Sequence, residues 1–156
     1  MRLDPPPEAL RIDYESIAQR YAHGECGPFA VACARNQRHN GWSLVVFVTV
    51  DEQVIHAACE VPEGGYFDAY GFVTLGDIRD RYGKDVDPEW ADEGMVKAVL
   101  DHGDEDAIAE ADDHLQHLVR LLEKMGRACR SGSAWIRPET DPFPAKTPFC
   151  SKPEMF

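Results

Sequence analysis

The string GECGPFAVACAR, residues 24–35, decides how the rest of the chain is read. It leads out of a turn, through Cys26 between Gly24-Glu25 and Gly27, into a run of small and apolar residues. Pro28 falls in the first turn of the helix this predicts, where the N–H that proline lacks has no partner to lose. A helix is therefore expected over 26–35, ended by Asn36, Gln37 and the HNG triplet at 39–41. A thiol at such a helix start faces exposed backbone N–H groups and the positive end of the helix dipole, which favour its ionised form. The glycines let another segment approach closely. Glu25 opposes the effect unless its carboxylate points away.

Upstream, Leu10, Tyr14, Ile17 and Tyr21 recur at helical spacing, so residues 4–22 read as a helix led in by Pro5 to Pro7. Downstream, WSLVVFVTV (42–50) is nearly all apolar and rich in β-branched and aromatic residues, the pattern of a central strand. VIHAACEV (54–61) and YFDAYGF (66–72) read as two further strands. TLGDIRDRYG (74–83) suits a short helix capped by Thr74 and closed by Gly83. A long amphipathic helix is expected from Asp104 to Met125, its apolar stripe made by Ile108, Ala111, Leu115, Leu118 or Val119, Leu122 and Met125. The prolines of 138–156 suit an extended tail, which leaves 1–137 as one domain.

On the two-residue period of a strand, His56 shares a face with Val54, Ala58 and Glu60, while Cys59 faces the other way and becomes a core residue. Where Asp68 falls depends on the loop before it. A four-residue loop over 62–65 would set Asp68 opposite Cys59, on the wrong side. PEGG suits a type I turn instead, with Pro62 at its second position and Gly64 left-handed, making a bulge. That three-residue loop pairs 61 with 65 and hence 58 with 68. Asp68 then shares His56's face, one diagonal step away.

The order of helix-start Cys, strand His and strand Asp resembles the papain-like and transglutaminase-like cysteine hydrolases, over about residues 19–80. GECGPFAVA, VIHAACEV and GGYFDAYG carry the resemblance. It implies an α+β fold with N-terminal helices packed on a small antiparallel sheet. It also implies a thiol hydrolase or acyl transferase acting on an amide, isopeptide or thioester bond of a protein or peptide substrate. Cys26 would attack the carbonyl, His56 would take the thiol proton and Asp68 would hold the ring. Papain-like members place a Gln shortly before the Cys to complete the oxyanion hole, and Gln19 is similar in position, inside the expected first helix. The rival reading is an idle copy of this fold, serving as an acidic inhibitor or adaptor of the type found in phages and mobile elements.

At 156 residues, 44% of them hydrophobic, the chain suits one ordered domain. No apolar run is long enough for a membrane span, and MRLDPPPEALRIDYESIA lacks the apolar centre of a signal peptide. Five cysteines (26, 33, 59, 129, 150) at irregular spacings read as free thiols in a reducing cytoplasm. The net charge of −12 is concentrated, since twelve acidic residues lie between Asp85 and Asp113 against Lys97 alone. Direct binding to nucleic-acid phosphates is not expected of such a chain. The 85–113 stretch reads as a solvated face, or as a docking surface for a basic protein partner. His23, Cys26, Cys33 and His39 have poor zinc spacing, and His114 and His117 fall on the flank of an acidic helix. With no phosphate-loop, dinucleotide or zinc-protease string either, neither cofactor nor metal is expected.

Overall fold

The computed structural model describes residues 7–23, 25–100 and 104–138. In chain order it has α1 (Pro7–His23), α2 (Cys26–Gln37), β1 (Ser43–Val48), β2 (Val54–Glu60), β3 (Tyr66–Asp68), β4 (Gly71–Val73) and α3 (Leu75–Tyr82). Then follow β5 (Asp87–Trp90), α4 (Glu93–Leu100), α5 (Glu105–Lys124), β6 (Cys129–Ser131) and β7 (Ala134–Ile136). The architecture is mixed α+β. Five antiparallel strands lie in the order β4-β3-β2-β1-β5, with β6 and β7 as a separate hairpin.

The apolar run of β1 explains why the sheet is covered on both faces. Leu44, Val46 and Val48 join the larger core with Cys59 and Phe67 of the sheet, Phe29 and Cys33 of α2, and Leu115, Leu118 and Leu122 of α5. Val45 and Phe47 point the other way, into a smaller cluster with Ala58, Tyr66, Val73, Val86 and Ile78 of α3. A strand apolar on both faces needs a layer on each side, and α3 supplies the second. Ile78 is the only buried residue of that helix, and burying one such side chain is worth about 1.5–3 kcal/mol. Its ends are therefore tied by polar contacts. Thr74 and Asp77 form a capping box, Arg79 bonds the Val86 carbonyl at 3.1 Å, and the Tyr82 hydroxyl donates to the Ala22 carbonyl at 2.8 Å.

The PEGG loop takes the expected form. Gly64 N–H donates to Val61 O at 3.0 Å and Val61 N–H to Gly65 O at 3.1 Å. Gly64 has φ +106°, and Glu60 and Cys59 pair with Tyr66 and Phe67. Three expectations need correction. Residues 66–72 are two strands, because Asp68 Oδ1 accepts the Tyr70 N–H at 2.8 Å and Gly71 takes φ +93°, so the chain reverses at 69–70. Val54 packs with the larger core rather than beside His56, since β2 shifts register opposite Phe47 and Val48. Cys129 is disulfide-bonded, while Cys26, Cys33 and Cys59 are free. The reading of five free thiols fails there, and part of the support for a reducing compartment goes with it. Cys150 and the tail from 139 onward lie outside the described residues.

The acidic stretch is largely solvent-exposed, as the solvated-face reading expects, and several of its carboxylates are also paired with the protein's own cations. Glu93 pairs with Arg35 and Arg38, Glu105 with Arg35 and Lys97, Asp87 with Arg79, and Glu110 with Arg20. Asp92 and Asp104 cap the starts of α4 and α5 through the N–H groups of Met95 and Ala107. No helix among the described residues is long and apolar enough to cross a membrane.

Candidate active site

α2 and β2 lie side by side, so that the start of each faces the start of the other. Cys26 is the first residue of α2 and is 8% exposed. No side chain caps this helix, and Pro28 has no N–H. The first backbone donor with an intrahelical partner is Phe29, bonded to Glu25 O. The Cys26 and Gly27 N–H groups are thus left facing the end of the helix where the thiol sits. Glu25 is turned away and held by Arg20 at 3.0 and 3.3 Å, which removes the objection that its carboxylate raises.

His56 stands opposite Phe47 in the sheet and is fully buried. Its Nε2 lies 3.0 Å from Asp68 Oδ2, with both side chains out of solvent. Asp68 spends its other oxygen on the Tyr70 N–H. The carboxylate is therefore fixed by the turn that follows it, and it fixes the ring in turn. The imidazole also stacks on Tyr82, at 4.2 Å between centroids and 18° between planes, and on Phe47 at 5.7 Å and 28°.

The remaining ring nitrogen, Nδ1, is buried and makes no hydrogen bond of ordinary geometry. The Cys26 thiol is nevertheless near enough to act on the ring as a hydrogen-bonding and electrostatic neighbour. The contact is a loose one, as in many unliganded sites. Burial alone pushes the imidazole's pKa down, but the hydrogen bond to Asp68 and then the Cys26 thiol outweigh it, leaving about 9 against an ordinary 6.5. At neutral pH the ring is a buried imidazolium, with one N–H on Asp68 and the other on the Cys26 side.

Of the sequence-predicted site residues, Cys26, His56 and Asp68 come together. Gln19 is exposed on α1 and has no hydrogen bond to this group among the described residues. His114 bonds the Tyr21 hydroxyl through Nδ1, while His117 is exposed. No group of three or more metal-ligating side chains occurs among the described residues. Two participants were not anticipated. Tyr82 covers the imidazole, and burial, with Asp68 and Cys26 nearby, raises its phenol and keeps it a neutral donor to Ala22. Arg20 neutralises Glu25 across the turn. Tyr82 has no local signature, because it acts on a strand remote in the chain, whereas Arg20 is local to Glu25 and is brought to it by the turn between α1 and α2. Compared with protein-family models, with curated proteins and with solved structures, the chain gives no match.

Proposed function

We propose that this protein is a thiol hydrolase or acyl transferase, attacking an amide, isopeptide or thioester carbonyl through Cys26. The observation that carries the reading is the buried His56, hydrogen-bonded to Asp68 on one nitrogen and turned to a helix-start thiol with the other. An imidazolium beside a thiol favours the thiolate, which is the nucleophile. Sulfur attack on the carbonyl carbon moves the C=O electron pair onto oxygen. The uncapped N–H groups of Cys26 and Gly27 are the donors available to that oxyanion, so Gln19 is not required. His56 then gives its Nδ1 proton to the leaving nitrogen or sulfur, and the acyl group stays on Cys26. Water, or an acceptor amine, completes the cycle with His56 as base. Asp68 keeps the ring's orientation and offsets its charge throughout.

The rival, an idle adaptor with an acidic docking face, is weakened by the internal ion pairs of 85–113, which hold several of its carboxylates against the protein's own arginines. The two readings separate on iodoacetamide alkylation of single-cysteine variants between about pH 5 and 9. Cys26 is expected to react first among the free thiols, and to slow roughly tenfold or more in His56→Ala. A Cys26 rate that follows an ordinary thiol and ignores the His56 change would leave the adaptor reading in front.

A further inference from the structure

The arginines of this acidic protein are mostly committed: Arg20, Arg35, Arg38, Arg79 and Arg130 each hold a carboxylate. Arg81 and Arg127 are different. Both are exposed and neither makes an ion pair among the described residues. The Arg81 guanidinium lies 3.6 Å over the Tyr70 ring, and that of Arg127 lies 5.1 Å over Tyr14. The two rings meet edge to face at 6.4 Å, and the Tyr14 hydroxyl donates to the Tyr70 carbonyl at 2.8 Å. A guanidinium resting on an aromatic face, as that of Arg81 does, keeps its edge N–H donors free in the plane where a carboxylate binds, while Arg127 spends one donor on the Tyr14 hydroxyl and keeps the others.

This platform adjoins the site at two points. The Tyr70 N–H is bonded to Asp68 Oδ1, and Arg81 is the chain neighbour of Tyr82, the ring stacked on His56. Electrostatics point to the same neighbourhood. Burial raises the Tyr14 phenol to about 12, Arg127 and Arg81 both pull it down, and Asp68 adds to the rise. The facing acids are few. Asp68 is occupied by His56 and the Tyr70 N–H, Asp77 is occupied by its cap, and Asp80 lies exposed on α3. A chain of net charge −12 repels anions, so two uncompensated cations beside the site are a local reversal of its field.

We propose that Arg81 and Arg127 form a recognition rim for the substrate of Cys26, and that this substrate carries a carboxylate close to the bond attacked. The inference rests on the thiol-enzyme reading above and deepens it to a substrate class. Arg81, nearer in the chain to the His56 cover, makes the larger contribution.

Iodoacetate and iodoacetamide are a matched pair for the test, since one carries a carboxylate and the other a neutral amide of similar size. Both deliver a carbon to sulfur and release iodide. The measurement is the iodoacetate-to-iodoacetamide rate ratio at Cys26 in the full chain, compared with a Cys26-containing peptide. The folded protein is expected to show the higher ratio. Arg81→Gln should lower it roughly three- to fivefold, and Arg127→Gln less, as expected for one charge acting through partly screened space. Added salt should shrink the difference, and Arg120→Gln, another exposed arginine, should leave the ratio alone. A ratio equal to that of the peptide, or unchanged by Arg81→Gln and Arg127→Gln while iodoacetamide still labels Cys26 rapidly, overturns the rim and spares the thiol enzyme. Failure of both reagents at Cys26 overturns the enzyme reading and the rim with it.

Discussion

Helix α2 and strand β2 meet at two cysteine-bearing places with opposite chemistry. At their starts, Cys26 faces His56. Further along, Cys33 and Cys59 lie against each other, both fully buried, with the Cys59 thiol donating to Ala30 O at 3.5 Å. The second place has no imidazole, no carboxylate bonded to it and no helix terminus. Burial pushes the Cys33 thiol well up, and the neighbouring Cys59 adds to the rise. A thiol there is a small core hydrophobe. At the first place the same two elements end, so backbone donors are unspent, and a buried ion pair sits where the core closes. Position along a shared interface, rather than residue type, separates a structural thiol from a reactive one.

The comparison breaks most severely at Asp68. Asp68→Asn can keep the turn bond to Tyr70 but leaves the imidazolium without its counter-charge, and removing one partner of a buried pair costs roughly 3–5 kcal/mol. The pH dependence has a definite sign. The ring binds its proton more tightly folded, near 9, than at its ordinary 6.5. Its contribution to stability is therefore complete below about pH 6.5 and lost as pH rises through about 9, a difference on the order of 3 kcal/mol. Urea denaturation from pH 6 to about pH 9.5 should show that decline in the parent protein. In Asp68→Asn it should disappear or reverse, because burial, the largest influence on the ring, is then opposed by Cys26 alone. A smaller change tests the other place. Cys33→Ser puts a hydroxyl into an apolar setting and should cost about 1–3 kcal/mol. The Cys26 alkylation rate should stay unchanged while the protein is folded, and a coupled loss would mean that the two places are one unit.

What the sequence made legible was written locally. PEGG carries its own turn geometry, so the register that sets Cys59 opposite Phe67, and hence the His56–Asp68 contact, follows from four adjacent residues. Thr74 with Asp77, and Gly83 after Tyr82, mark both ends of α3 in the same way. The turn at 69–70 was legible too, as Asp68 at its first position and Gly71 at its fourth, but the strand propensity of the intervening aromatics concealed it. Strand β5, DPEW, has residues depleted in strands. It forms because β1 has an open edge, and an outer strand tolerates Pro88. The β6–β7 hairpin is held by Gln37, which donates to Ser133 O at 2.9 Å and accepts from the Trp135 N–H at 3.3 Å, a clamp spanning almost 100 residues. The ion pairs of the acidic stretch were hidden for the same reason. Arg35 lies on α2 and Arg38 just past its end, and a local charge count cannot see them.

The central claim is that Asp68 and Cys26 hold His56 as a buried imidazolium at neutral pH. It is tested most directly by following the His56 ring resonances through a pH titration by NMR. The account predicts a midpoint near 9 in the parent protein, a modest fall in Cys26→Ser, and a fall below 6.5 in Asp68→Asn. A parent midpoint at or below 6.5, unmoved by either substitution, would contradict it.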